Sequence, residues 1–102
     1  MMDKIITLCL YGVAKENGQE LLVLEKETEV LAKEESLSNA FYFRSTAEGH
    51  RLVTTYFIHP FEYNNEQRIK AHGRELKIEN VRPVLKDGLN LLELTVGELD
   101  GR

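Results

Sequence analysis

The chain has 102 residues, 42% hydrophobic and 29% charged, a composition that predicts one folded domain over residues 1–102 and excludes a disordered chain. Its formal net charge of −4 argues against a domain that holds nucleic acid on a basic face. One cysteine excludes an internal disulfide, no apolar run reaches the roughly 20 residues that span a bilayer, and the start MMDKII lacks a signal-peptide layout, so we expect a soluble protein made in a cytoplasm.

The first predicted element is a strand over residues 4–13, with apolar side chains on both faces. Asn17-Gly18 follows, a dipeptide that is typical of a tight turn. The next stretch, residues 21–34, has two interpretations. A helix would align Leu21, Leu24, Thr28 and Leu31 in one stripe, whereas two strands, residues 21–26 and 28–34, are the alternative. Periodicity alone does not decide between them.

A short helix is predicted after this stretch, because Ser36 or Ser38 can cap its N-terminus and Gly49 can end it. Three consecutive aromatic residues and then Arg44 lie in this helix. Consecutive helical side chains point about 100° apart, so one core face cannot take all three rings. The third ring is either a tolerated surface aromatic or, together with Arg44, a contact with another chain, since both residue types are enriched at interface centres.

Residues 51–60 are rich in β-branched and aromatic side chains and predict a strand that is covered on both faces. A hairpin with its turn at His72-Gly73 comes next. Its register would pair three sets of residues: Ala71 with Arg74, Lys70 with Glu75, and Ile69 with Leu76.

An Asp87-Gly88 turn introduces the last strand, residues 89–96, whose inner face would carry Leu92, Leu94 and Val96. Residues 97–102 are predicted to fray. The sum is a mainly β fold, a small antiparallel barrel or rolled sheet of five to six strands with one short helix inserted mid-chain.

No constellation of reactive residues predicts catalysis. The three histidines, His50, His59 and His72, do not have the spacing of metal ligands. Cys9 lies in an apolar run and is better explained as a small buried side chain than as a nucleophile. The glycines fall at turns and form no phosphate-binding loop. We therefore expect no enzyme, no cofactor and no metal.

The order of features resembles the head–tail joining proteins of tailed bacteriophages, also called head-completion, head-closure or stopper proteins. The resemblance covers residues 3–96. The segments that carry it are VLAKEESLS (30–38), AFY (40–42), Gly49, LVTTYFIHP (52–60), EYNNEQ (62–67), IKAHGRELKI (69–78) and LLEL (91–94). Three positions depart from the family pattern: Ala40 where Glu is frequent, Arg44 where a small residue is usual, and Leu76 where an aromatic residue is usual.

The resemblance implies that residues 21–34 are extended rather than helical. It also implies a structural protein of the virion that assembles as a ring below the portal and its adaptor, helps to retain packaged DNA and offers the docking surface for a tail. Its partners would be the portal and adaptor proteins, the tail-terminator protein and other copies of itself. DNA would pass through without sequence-specific binding, and the chain alone would be a monomer.

In some members of this family, a loop after the Ser-led segment reaches into the channel. The residues implied here for a subunit interface or channel loop are Phe41, Tyr42, Phe43, Arg44, Ser45, Thr46, Glu48, Gly49 and His50. The alternatives are another virion connector or a tail-terminator ring subunit and, further away, a small-barrel nucleic-acid-binding domain. The last would need a basic, aromatic surface, for which the chain has too few clustered cations.

Overall fold

The computed structural model describes residues 2–36 and 52–99. These residues form six strands and one short 3-10 turn. The strands are β1 Lys4–Glu16, β2 Gln19–Glu35, β3 Leu52–Ile58, β4 Arg68–Ala71, β5 Arg74–Lys86 and β6 Leu89–Gly97, and the 3-10 turn is Pro60–Glu62. The predicted mainly β fold is therefore confirmed. The predicted helix lies, apart from Ser36, outside the described residues.

The six strands form one antiparallel sheet that closes on itself in the order β1-β2-β3-β6-β5-β4. Each half of the chain is a three-stranded meander, β1-β2-β3 and β4-β5-β6. The 3-10 turn lies on the connection that carries the chain from β3 across to β4. Pairing of β3 with β6 and of β1 with β4 joins the two meanders and closes the barrel.

All three predicted two-residue turns are present. In each, both central residues have positive φ, the conformation of a type I′ turn, which matches the twist of the flanking strands. The φ values are 54° and 80° for Asn17 and Gly18, 55° and 75° for His72 and Gly73, and 54° and 77° for Asp87 and Gly88. These turns fix the registers of the three hairpins.

The ambiguous stretch, residues 21–34, is extended, and the helical interpretation is wrong. It belongs to one continuous strand, β2, rather than to two. Pairing with β1 runs from Glu16↔Gln19 to Lys4↔Ala32, with one register shift between Leu10 and Tyr11. The cross-strand partners, which the sequence pattern does not contain, decide the conformation here over helix propensity.

The β4-β5 hairpin has the register that the sequence predicts, with Lys70 opposite Glu75. The ion pairs, however, do not join these directly opposite residues. Lys70 binds Glu27 of β2, and Glu75 binds Arg68. Lys70 therefore connects the hairpin to β2, and Glu75 forms a diagonal pair within the hairpin.

The barrel interior is filled by apolar side chains from all six strands. The buried cluster consists of Ile6, Leu8, Val30, Ala32, Tyr56, Ile58, Ile69, Ala71, Leu76, Leu94 and Val96. Strand β3 is buried on both faces, as predicted, since Tyr56 and Phe57 are 0% and 4% exposed. Cys9 is also buried, and burial raises the pKa of its thiol, which disfavours the reactive thiolate.

Candidate interaction surface

The β1-β2 hairpin projects beyond the barrel. Strand β4 pairs with β1 only at Thr7–Cys9, and β3 pairs with β2 only at Lys33–Glu35. Beyond these contacts the two strands pair only with each other, and every residue from 13 to 27 is exposed. We call residues 12–25 the arm. At roughly 3.4 Å per residue, its five β1 positions extend about 17 Å.

The arm exposes apolar side chains that a barrel would normally bury. Val13 is 62% exposed and its cross-strand partner Leu22 is 56% exposed. Leu21, Val23 and Leu24 are exposed as well, so both faces of the ribbon are apolar. An isolated two-stranded hairpin is marginally stable in water, and a rimmed apolar patch is typical of an interaction site.

A β-bulge at the base of the arm brings a carboxylate across it. The register shift after Leu10 leaves Glu25 as the extra residue of β2, and its carboxyl group lies against Gly12. A Cβ at position 12 would collide with that group. Gly12 therefore lets Glu25 cross the ribbon, and the arm carries a charged group beside its apolar residues.

A polar cluster fastens the base of the arm to the β4 side of the barrel. The Tyr11 N–H donates to Gln67 Oε1 at 2.8 Å, and Gln67 Nε2 donates to the Tyr11 carbonyl at 2.9 Å. The side-chain amide of Gln67 thus replaces a neighbouring strand at this edge position. We call this contact the Gln67 latch.

Tyr11 is held by its side chain too. Its hydroxyl donates to Glu75, which raises the pKa of the phenol because the bonded carboxylate favours the neutral form. The Arg68 guanidinium lies 4.6 Å from the centre of the Tyr11 ring and 3.6 Å from the Glu75 carboxylate. These contacts set the direction in which the arm leaves the barrel.

A cleft of about 710 Å³ lies beside the arm, next to Arg68, where the short strand β4 begins. One wall is the arm itself, through Leu22, and the opposite wall is β5. The floor comes from the loop before β4. Its lining residues are Leu22, Tyr63, Asn65, Glu66, Gln67, Arg68, Lys77, Ile78, Glu79, Asn80, Val81 and Leu99.

Buried polar contacts shape the floor of the cleft. Glu66 is 2% exposed, and its carboxylate accepts a hydrogen bond from the Asn64 N–H at 2.7 Å. The Tyr63 hydroxyl donates to the Glu66 carbonyl at 3.0 Å. The Gln67 carbonyl accepts from the Ile78 N–H at 2.9 Å. The loop is therefore tied to itself and to β5.

Charge is distributed unevenly around β1. On one side, β2 carries six carboxylates and two lysines, a net charge of −4. On the other side, the β4-β5 hairpin, residues 68–77, carries four cations and one carboxylate, a net charge of +3 with histidine neutral. Two contacts bridge these flanks, Lys70 with Glu27 and His72 with Glu34 at 3.1 Å.

A second ionic cluster ties the β5-β6 turn to β2. Lys33 lies 3.2 Å from Asp87 and 3.5 Å from Glu35, and Lys86 lies 2.7 Å from Glu35. The Lys86 ammonium also lies 4.8 Å from the centre of the Phe57 ring. The hydrogen bond from Lys86 lowers the pKa of Glu35, and that from Lys33 lowers the pKa of Asp87. These ion pairs link the β5-β6 turn to β2 and have a structural role.

The residues predicted for an interface or channel loop are not among those described. Phe41, Tyr42, Phe43, Arg44, Ser45, Thr46, Glu48, Gly49 and His50 all lie outside the described residues, so that assignment stays a prediction. The chain leaves β2 and returns in β3, which are antiparallel neighbours. The end of β2 and the start of β3 therefore lie at the same end of the barrel.

Sequence reasoning missed the arm. Its signal is the run Leu-Leu-Val-Leu at residues 21–24, close to the Asn17-Gly18 turn. In a hairpin such a run places apolar groups on both faces of a ribbon. The helical interpretation placed Leu21 and Leu24 in one stripe with Thr28 and Leu31, and it gave no reason to expect them to be exposed.

Within residues 2–36 and 52–99, no group of three or more His, Cys, Asp or Glu side chains could hold a metal ion, and no helix is long and apolar enough to cross a membrane. Comparison with models of protein families gives no match, and comparison with curated proteins gives none.

Proposed function

We propose that the chain is a head–tail joining protein of a tailed phage or prophage, a structural subunit that assembles into a ring below the portal and its adaptor. The ring helps to retain packaged DNA and presents a surface to which the tail docks. The proposal combines the order of motifs along the sequence with the arm. Because the part is mechanical, it needs no catalytic group and no cofactor.

The arm is the observation that carries the proposal. A subunit that works alone gains nothing from a ribbon about 17 Å long with exposed leucines and valines, since that ribbon costs solubility and adds no core. A ring subunit needs two different lateral surfaces, because contacts around a ring are heterologous. The arm, with its exposed apolar side chains, is a candidate for one of these surfaces.

The electrostatics are compatible with a conduit for DNA. The chain has a formal net charge of −4, and described cations such as Arg68, Lys70 and Arg82 lie in ion pairs with carboxylates. A polyanion would therefore find little attraction along such a subunit. The same balance disfavours the nucleic-acid-binding alternative, which a salt-sensitive DNA-binding assay would revive.

Deletion of the reading frame from its phage or prophage tests the proposal. We expect electron micrographs of the induced lysate to show heads and tails that are separate, and wild-type protein supplied in trans to restore joined particles. A copy with an early stop codon is the matched control. Joined, infectious particles at normal numbers without the protein would overturn the proposal. Portal and capsid genes just upstream would support it.

A further inference from the structure

We propose that the tip of the β5-β6 hairpin is a strap that ion pairs hold closed over the outer face of β3, and that it opens when those pairs are screened or removed. We call residues 85–90 the strap. A closed strap covers Phe57, and an open strap exposes it. The inference concerns the fold of the isolated chain, so it holds or fails independently of the proposed function.

The strap, like the arm, is a two-stranded ribbon that runs past its neighbours in the sheet. Within the described residues, β3 pairs with β6 no further than Leu92, and β4 pairs with β5 only at residues 74–77. The residues of the strap therefore pair only with each other. Pro83 lies near its base, opposite Leu92, and has no N–H to donate. The strap can consequently bend near this base while the barrel ladders stay intact.

Phe57 is an apolar side chain on the outer face of the barrel. Its neighbours Tyr56 and Ile58 belong to the interior cluster, and alternate residues of a strand point to opposite faces. Phe57 is nevertheless only 4% exposed. The Lys86 ammonium of the strap lies 4.8 Å from the centre of its ring. The strap is therefore part of the cover that keeps water from this ring.

Ion pairs attach the strap to β2. Lys86 lies 2.7 Å from Glu35, and Asp87 lies 3.2 Å from Lys33. Lys33 also lies 3.5 Å from Glu35, so the four charged groups form one network in which the sign alternates. Lys33 is directly opposite Phe57 in the β2-β3 ladder. The strap therefore crosses β3 to reach its partners on β2.

Apolar packing contributes little to this attachment. Leu85 and Leu89 of the strap are 74% and 49% exposed, whereas Leu91, at its base, is buried. Partly exposed ion pairs are individually weak and are screened by salt. Segments with few buried contacts open at a lower free energy than the core. The strap should therefore open before the barrel unfolds, with its base still anchored.

Side-chain NMR of the full-length chain tests the strap. An aromatic ring displaces the signals of groups above its face, so the ε-methylene of Lys86 should be shifted upfield and show an NOE to the Phe57 ring while the strap is closed. We expect this displacement to fall about twofold or more from low salt to about 1 M salt, where the Debye length is only about 3 Å.

Variants remove the ion pairs without salt. Asp87→Asn removes one charge and keeps a residue type that tolerates the positive φ of the turn. Combined with Glu35→Gln, it should reduce the displacement of the Lys86 signal already at low salt. Lys70→Gln, which breaks the ion pair with Glu27 elsewhere on the barrel, is the matched control and should leave that signal unchanged.

A displacement and an NOE that persist in high salt and in the double variant would overturn the proposal, because packing rather than charge would then hold the strap. Absence of both signals at low salt would overturn it too, since the strap would not be closed in solution. Loss of the displacement only together with the core methyl signals, such as those of Ile6, would also refute it, because the strap would then unfold with the barrel. The gene-deletion experiment is unaffected by any of these results.

Discussion

Gln67 shows how one side chain can finish a sheet edge. The backbone of Tyr11 lies where β4 no longer covers β1, and the primary amide of Gln67 supplies both a donor and an acceptor there. This is the hydrogen bonding that a peptide group of a neighbouring strand would offer. The latch protects one polar edge without a partner strand, and it fixes the arm to the cleft floor.

We predict that Gln67→Ala accelerates hydrogen exchange of the Tyr11 amide, because that N–H loses its acceptor. The free energy of unfolding should fall by only about 1 kcal/mol, the usual net worth of such a bond. Exchange measured by NMR checks the first effect, and urea denaturation checks the second. Gln19→Ala, at the far end of the arm, is the control. An unchanged exchange rate at Tyr11 would show that the latch does not hold in solution.

Tyr56 is fully buried, and its pKa is raised well above the ordinary value of a tyrosine. Burial, and then the negative charge of Glu34, raise its pKa from 10 to about 12. The neutral phenol is the form that the fold favours. The contribution of Tyr56 to stability is therefore fully present below pH 10 and is lost as pH rises from about 10 to about 12, where the unfolded chain ionises first.

We predict that the wild-type free energy of unfolding falls between pH 10 and pH 12, and that Tyr56→Phe reduces this fall. Denaturation curves at a series of pH values measure both. The variant also tests whether the hydroxyl itself is needed in the core. A fall of equal size in both proteins would assign the alkaline sensitivity to other groups, such as Tyr11 and Tyr63, whose pKa values are also raised.

Strands β1 and β2 are buried at one end and exposed at the other. Core positions such as Ile6 and Leu8 are almost fully buried, and their pairing with β2 fixes the register. Val13 and Leu22 pair with each other further along the same two strands, yet both are more than half exposed. One pair of strands thus serves as a barrel wall at one end and as a contact surface at the other.

We predict that Val13→Ser combined with Leu22→Ser changes the free energy of unfolding by less than about 1 kcal/mol, since both side chains are exposed. The same pair should prevent ring formation in the presence of portal and adaptor, and it should fail to restore joined particles. Ile6→Ala is the matched comparison and should cost about 2–5 kcal/mol. A loss of stability in the arm variant as large as that of Ile6→Ala would show that the arm is part of the core.

For the whole molecule, we expect ring assembly to require the portal and adaptor as a template. The principal extents of 49 × 33 × 24 Å describe an elongated body. Its candidate lateral contact is a single two-stranded ribbon, the arm, whereas obligate oligomers typically bury large apolar interfaces. Weak lateral contacts leave the free copies as monomers. When portal and adaptor hold several copies side by side, the effective concentration of neighbouring copies is high and the ring is favoured.

We predict that the purified chain elutes mainly as a monomer and forms a ring only when portal and adaptor are added. Gel filtration with light scattering measures the mass with and without them. The Val13→Ser and Leu22→Ser variant should stay monomeric in both conditions. A stable hexamer of the isolated chain would instead favour the tail-terminator alternative.

Local sequence patterns predicted the mainly β fold class, the positions of the three turns and the register of the β4-β5 hairpin. Each of the three turn dipeptides has a backbone requirement that few residues meet, so Asn17-Gly18, His72-Gly73 and Asp87-Gly88 placed the strand ends locally. Alternation of apolar residues then marked Leu94 and Val96 as inner positions of the last strand. These features depend on neighbours in the chain, and local pattern is enough to read them.

Contacts between strands that are distant in sequence determine where the sheet closes and which residues it leaves exposed. The pattern of residues 21–34 is compatible with a helix or a strand, and pairing with β1 makes them a strand. The leucines of the arm are compatible with a core, but β3 and β4 pair over too few residues to cover them. Exposure depends on which distant strands meet and for how many residues. No local pattern carries that information, and the arm and the cleft could therefore not be predicted from the sequence.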